Sequence, residues 1–413
     1  MTHRKRNTCR ICGSEDVHCF LELGPMALAN SFLKSEAEIA NEPIFPLDVY
    51  FCQNCSLVQL MDVIDPEVLF RHYLYVTGTS DTIAAHNKQY ARTIVDLQNM
   101  GADDLVVEVA SNDGSLLRCF QELGVYTLGV DPAENVAEIA RSRGVETVAE
   151  FFNRETAVSL CQTYGRAKAV IGNNVLAHVD DTVDFLTGFK EMLTDDGLIV
   201  IEMPYLGNLI AGREYDTIYH EHLCYFSVNA LLRLCDEVGV SLVRIDRMPI
   251  HGGSLRMYAG LPGHYGGHGT AVLDMAERER QKGMTSLARF QQLAEEVKQS
   301  RQELLDLLHD LQSQGKTIAG YGASAKGTVL QNYCRLTTDI IPYTVDKSPL
   351  KVGLLTPGVH IPVLPVDTLL ERQPDYVLIL AWNFADEIIR QQAEYQARGG
   401  KFIVPIPELK VVG

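Results

Sequence analysis

Four short apolar runs constrain this chain more than anything else in it: LVVEVA at 105–110, TLGVD at 127–131, AVIGNN at 169–174 and LIVIEMP at 198–204. Each is β-rich, and segments of helical length separate them. Such alternation predicts a parallel sheet with helices on its faces, an α/β domain. Toward the C-terminus TIAGYGASAKG, DIIPYTVD, DYVLILAW and KFIVPIP repeat the pattern and predict a second, smaller α/β domain. A chain of 413 residues exceeds what one core usually organises, in agreement with that division. The expected domains are residues 1–70, 71–262 and 263–413.

The third domain opens with a glycine-rich break, HYGGHGT at 264–270, and a linker. Behind the break Phe290, Leu293, Val297, Leu304, Leu307 and Leu311 keep mostly three- and four-residue spacing, the stripe of a long amphipathic helix. The stripe covers too few heptads to demand another chain. It therefore reads as a connector rather than a coiled-coil surface, and a monomer is the expectation.

Charge narrows the partners. Asp and Glu number 53 against 36 Lys and Arg, a formal net charge of −17. Such a surface repels a polyanion, so no nucleic-acid partner is expected, while a few placed cations can still suit one pocket to a small anionic substrate. No apolar run approaches the roughly 18 residues of a membrane span, so no membrane partner is expected either. The basic N-terminus lacks the apolar stretch of a secretory signal, which leaves the cytoplasm as the default compartment.

Within residues 1–70, Pro25, Pro43, Pro46 and Pro66 block long helices and leave short strands and turns. Two tight pairs, Cys9-Arg-Ile-Cys12 and Cys52-Gln-Asn-Cys55, stand apart from the scattered cysteines. Each pair can present two thiolates from a turn to one tetrahedral Zn2+, and Gly13 suits that turn. A redox pair is the alternative. Four cysteine ligands leave no open position for water, so the metal reads as structural.

In the central domain Glu108-Val-Ala110-Ser-Asn112-Asp113-Gly114 sits where a strand passes into a helix, and Asp131 ends the next strand. This matches the start of a Rossmann-like fold, in which turn amides approach the ligand and the acidic residue takes both ribose hydroxyls. Of the three glycines in a dinucleotide turn only Gly114 is present. The pyrophosphate of NAD needs the second; the methionine end of S-adenosylmethionine does not. Asn112 and Asp113 then serve the ligand's amino acid end, or else cap the helix. Phe151 or Phe152 offers adenine an aromatic face unless it packs in the core. Asn173 and Asn174 end the third run and belong beside the sulfonium.

Beyond these strands come Ala177-His178 and the polar run Tyr215-Asp-Thr-Ile-Tyr219-His220-Glu221-His222-Leu-Cys-Tyr225-Phe226. H-E-H-L-C is not the H-E-x-x-H of a zinc protease, so the density of acid–base groups points to catalysis without that metal. Adjacent residues of an extended loop face opposite sides, which lets His220 point away.

Taken in order, C-x-x-C, C-x-x-C, E-V-A-S-N-D-G, Y-H-E-H, H-G-G-S-L-R and G-Y-G-A-S-A-K-G resemble the nucleotide-sugar C-methyltransferases of deoxysugar biosynthesis across nearly the whole chain. The resemblance implies a zinc module, a central S-adenosylmethionine domain and a C-terminal Rossmann-like domain holding the nucleotide. It implies a thymidine-diphosphate 4-keto-6-deoxy sugar methylated at C3, with His222 as base, Tyr219, Glu221 and His178 lining the sugar, and Tyr73 closing over it. The chemistry agrees: methylating a saturated carbon requires a carbanion, a neighbouring ketone makes the proton removable, and histidine is the natural base.

His251, Ser254 and Arg256 of H-G-G-S-L-R reach sugar or phosphate in this reading, unless the segment is only a hairpin turn. Ser324 and Lys326 lie at a strand-to-helix turn fit to neutralise a diphosphate. Asp346 ends the following strand with Lys347 beside it, and Trp382 and Phe384 are candidates to stack on a base. Two alternatives stand: an NAD-dependent nucleotide-sugar oxidoreductase, and a non-catalytic zinc-module scaffold.

Overall fold

The computed structural model describes residues 3–71, 81–250 and 253–413. Tyr73 and His251 lie outside these residues.

The central sheet has seven strands in the order Ser241–Met248, Ser254–Gly260, Leu193–Pro204, Ala167–Asn173, Leu105–Val109, Tyr126–Val130 and Thr147–Val148. The last five are parallel. Parallel strands are covered by helices on both faces, which is why Leu105–Val109 is buried at every position and its sequence, Glu108 apart, runs apolar without alternation. The first two strands form an antiparallel hairpin at one edge, and Ser254 pairs with Pro204. Ser254, Leu255 and Arg256 of H-G-G-S-L-R therefore lie in the second strand of that hairpin.

The C-terminal sheet runs Val363–Pro365, Thr344–Asp346, Ile318–Tyr321, Tyr376–Ile379, Lys401–Val404 and Lys410–Val412, with only the last antiparallel. The fold is α/β, as the two sets of apolar runs require.

The N-terminal module is a four-stranded antiparallel sheet, and its outer strand is borrowed. Val17–Ala27, Ile44–Cys52 and Val58–Leu60 come from the module, but the fourth strand, Cys224–Tyr225, belongs to the polar run of the central domain. Phe290 of the helix Leu287–Ser313 stacks on Phe51 and tilts against Phe20, with ring centroids 4.7 and 5.2 Å away. The expected stripe is buried except that Leu308 takes the place given to Leu307. That helix is thus a packed element rather than a bare connector. The Thr328 hydroxyl donates to the Ala29 carbonyl, and Glu42 accepts from the Gly358 amide and pairs with His360, so the module also meets the C-terminal domain. Among the described residues no helix is long and apolar enough to cross a membrane.

Candidate active site

The two cysteine pairs converge. Sγ of Cys9 lies 3.4 Å from that of Cys55, Sγ of Cys12 lies 3.6 Å from that of Cys52, and all four fall within 4.8 Å of one another. Zn–S bonds of about 2.3 Å in a tetrahedron put the sulfurs about 3.8 Å apart, so these thiols fit one zinc ion. Both knuckles close alike. After each second cysteine the backbone enters the left-handed region, at Gly13 (φ 66) and Ser56 (φ 63), and its amide donates to the carbonyl of the first cysteine.

A cavity of about 510 Å³ opens at the carboxyl ends of the central parallel strands. At one end the turn after Leu105–Val109 is held by Asp131, whose Oδ2 accepts from the Asn112 amide at 2.8 Å and whose Oδ1 accepts from the Ala133 amide at 2.9 Å. Burial raises the Asp131 carboxyl above its ordinary value, and these two amides pull it back. Glu108 beside it is held well above the carboxylate range by burial and by the charges of Asp131 and Asp113. Its Oε2 and the Asn173 Oδ1 are buried without a hydrogen-bond partner. Ala110 (φ 59), Asn112 (φ 50) and Asn174 (φ 53) adopt the left-handed conformation without being glycine. Gly114 (φ 72) cannot be replaced so cheaply, because a Cβ there would come within 2.9 Å of Val145.

Several expectations change here. Asp113 takes a 2.5 Å ion pair from Arg143 and accepts from the Ser115 hydroxyl and amide, the helix-start role weighed against ligand contact, although it still lines the cavity. Phe152 borders the cavity but packs edge-on against Phe185 and Phe189, while the ring of Phe151 lies under Arg71 at 5.3 Å. His86 and Glu202, which no motif singled out, also line the cavity, with Glu202 3.0 Å from the His86 Nε2.

At the other end stand Tyr219, His222 and His178. His222 Nδ1 lies 3.0 Å from the Thr217 carbonyl, which can only accept, so Nδ1 carries the proton. Nε2 is then the acceptor for the Tyr219 hydroxyl at 2.8 Å. Burial, the His178 ring and the Lys326 cation hold His222 well below the ordinary imidazole value. His178 crosses His222 edge-on with centroids 4.8 Å apart, and burial lowers it to about 4. His220 turns the other way, onto Phe45 and the Pro46 carbonyl.

Glu221 does not line the cavity. Its Oε1 accepts from Asn30 Nδ2 at 2.7 Å, so it faces the zinc module and not a substrate beside His222. Arg256 does not line the cavity itself but sits behind it, in a buried ion pair with the lining Glu202 and 4.0 Å over the Tyr90 ring. Ser254 is buried in the hairpin and donates to the Ile250 carbonyl.

Lys326 is the C-terminal domain's contribution to the cavity, and its Nζ is buried with no hydrogen-bond partner, 4.5 Å over the Trp382 ring. Trp382 cannot stack on a base, since it is buried and its Nε1 donates to Asp216 at 2.5 Å. Burial brings Asp216 up to about 7 against the pull of Lys326 and Trp382. Phe384 is exposed. Ser324 caps its helix by accepting from the Gly327 amide, Asp346 accepts from the amides of Ala323 and Ser348, and Lys347 donates to Gln391. Ser324 and Asp346 hold the glycine-rich turn, and all three residues lie outside the central cavity.

Three family models match the chain: "Putative zinc binding domain" over residues 9–70, "Methyltransferase domain" over 84–245 and "C-methyltransferase C-terminal domain" over 249–407. The C-methyltransferase NovU of Streptomyces niveus is 37% identical over 409 residues, 99% of this chain and 97% of NovU. Among solved structures, magnesium protoporphyrin IX methyltransferase of Synechocystis PCC 6803 with bound SAM is 15% identical, with 44% of this chain and 82% of that one covered and a TM-score of 0.33. The 1,6-didemethyltoxoflavin-N1-methyltransferase of Burkholderia thailandensis is 20% identical, with 43% and 79% covered and a TM-score of 0.33.

Proposed function

The chain belongs to the C-methyltransferase family, and from that premise we propose that it moves the methyl group of S-adenosylmethionine to C3 of a nucleotide-diphosphate 4-keto-6-deoxy sugar, with thymidine as the nucleoside. One observation carries the reading: a single cavity is lined by Asp131 and the turn at 110–113 at one end and by Tyr219 and His222 at the other. A methyl donor and an acid–base pair can therefore share one enclosure.

The residues fit the donor. Asp131 suits vicinal ribose hydroxyls, and Glu108 with the unpartnered Asn173 Oδ1 offers acceptors to the cationic end of the ligand. When bound, S-adenosylmethionine supplies an electrophilic methyl group. The protein must supply the carbanion. His222, neutral and with its Nε2 lone pair free of a proton, takes the proton from the carbon beside the ketone. As the substrate enters, Tyr219 exchanges its acceptor, the imidazole, for the ketone oxygen, which opens Nε2 and steadies the developing enolate. Lys326, a buried cation with no acceptor of its own, meets the substrate's negative charge, and the diphosphate is the group that brings it.

Solvent deuterium exchange at the substrate carbon tests this, measured in the complex with S-adenosylhomocysteine, where methylation is blocked and deprotonation is not. The parent protein exchanges that position, and His222→Ala loses at least about a hundredfold. Equal exchange in parent and variant would place the base elsewhere.

A further inference from the structure

We infer that Arg10, the residue held between the first two zinc thiols, is a positioning residue for proton removal: paired with Asp180, it keeps the His178 segment and the Tyr219–His222 loop in register. The inference rests on the reading that His222 stands at the reacting carbon.

The two segments come from different parts of the central domain. His178 follows the strand Ala167–Asn173, whereas Tyr219 and His222 follow the helix Leu206–Gly212. Between the segments runs a backbone bond from the Leu223 amide to the Ala177 carbonyl, 2.7 Å. The zinc module reaches both. Its strand Val58–Leu60 pairs with Cys224–Tyr225, and the Leu60 amide donates to the Leu223 carbonyl at 2.9 Å. Arg10 ties that strand to the other segment. Its fully buried side chain donates from Nε to Asp180 Oδ1 at 3.1 Å and from a terminal nitrogen to Gln59 Oε1 at 3.2 Å and to the Leu60 carbonyl. The Arg10 amide also donates to Gln59 Oε1, and the Thr182 hydroxyl donates to the Arg10 carbonyl.

The rigid planar fork of a guanidinium suits such a node, because its donors leave in fixed directions toward several acceptors at once. Asp180 is the matching carboxylate. It stands two residues beyond His178, lines the cavity, and also receives Arg4 and Arg6. Cys9 and Cys12 flank Arg10 and fix its backbone when they share a metal. A zinc ion that takes no part in the chemistry thereby governs where the histidines stand.

The test uses the full chain loaded with zinc, comparing Arg10→Met, Arg10→Lys and Asp180→Asn with the parent. We expect Arg10→Met and Asp180→Asn to lower kcat and the deuterium exchange rate together by about 10- to 100-fold, the range for groups that orient a site from behind. Zinc content and S-adenosylhomocysteine affinity stay at the parent values, and Arg10→Lys recovers part of kcat by keeping one charged donor. A merely structural role would lower the melting temperature and leave kcat of the folded fraction unchanged. That result overturns the inference, as does a loss of kcat that only tracks lost zinc. Should Arg10→Met fail to fold, Asp180→Asn alone decides, because it keeps the side chain's size and leaves the knuckle untouched. A parent that exchanges no deuterium would instead refute the functional reading beneath it.

Discussion

Replacing Tyr219 with Phe removes one oxygen atom, and the size of the loss tells what that oxygen does. In the structure it donates to His222 Nε2 at 2.8 Å, while the bond from Nδ1 to the Thr217 carbonyl fixes the tautomer independently. The imidazole thus stays in place and in its basic form in the variant. If the hydroxyl only steadied the ring, its removal would cost one neutral hydrogen bond, about 1 kcal/mol, or roughly fivefold in rate. If it moves to the ketone oxygen as the enolate forms, the loss is that of an oxyanion donor, about 2.7–4 kcal/mol or 100- to 1,000-fold in kcat. We expect the larger figure, read as methylated product per unit time at saturating substrate, with S-adenosylmethionine affinity by calorimetry unchanged. A fall in kcat of less than about tenfold would refute the exchange of partners. So would faster deuterium exchange in the variant, the mark of a hydroxyl that merely masks the base.

Lys326→Ala should raise KM strongly with a smaller change in kcat, because its cation binds ground and transition states alike; an unchanged KM would remove it from the substrate. His222 works unprotonated, and its folded-state value is lowered, so the acid limb of kcat/KM should lie below about 6.5, and a limb at or above that value contradicts the assignment. Stability should follow the same sign: His178 and His220 are lowered to about 4, so the unfolded chain takes protons that the folded one refuses. The share that these two histidines contribute in full above about 6.5 is lost as pH falls toward 4, while the raised carboxyls of Glu108 and Asp216 act with the opposite sign; a His220→Gln variant whose denaturation midpoints keep the parent's pH dependence across that window would refute the neutral His220. Metal analysis should find one zinc per chain and a chelator should lower the melting temperature, since thiolate ligation is folding energy; less than half an equivalent in fresh protein would sink the site.

What could be read from the chain alone followed from local rules. Strands buried on both faces must be mostly apolar, so LVVEVA, TLGVD, AVIGNN and LIVIEMP all appear in the central sheet. Ligand spacing gave Cys9, Cys12, Cys52 and Cys55, because a knuckle is built within a few residues. Alternation along a loop correctly turned His220 away from Tyr219. The misplacements are side chains whose direction is set by partners far along the chain. Glu221 is claimed by Asn30, Trp382 by Asp216 and Arg256 by Glu202, at separations that no motif encodes. His86 carried no signal beyond its place on the helix Asp81–Gln98, and only the folded chain brings it to Glu202. Arg10 carries no signal in the sequence beyond its place between two ligands.

The borrowed strand has a consequence in time. Val58–Leu60 is paired on one side by its own module, but its other edge waits for Cys224–Tyr225. During synthesis at about 5–20 residues per second, that edge stands open on the order of ten seconds before its partner leaves the ribosome. An open edge is a template for pairing with the wrong chain. The methyltransferase therefore emerges with its first sheet unfinished, and its yield in a cell should depend on what shields that edge in the interval.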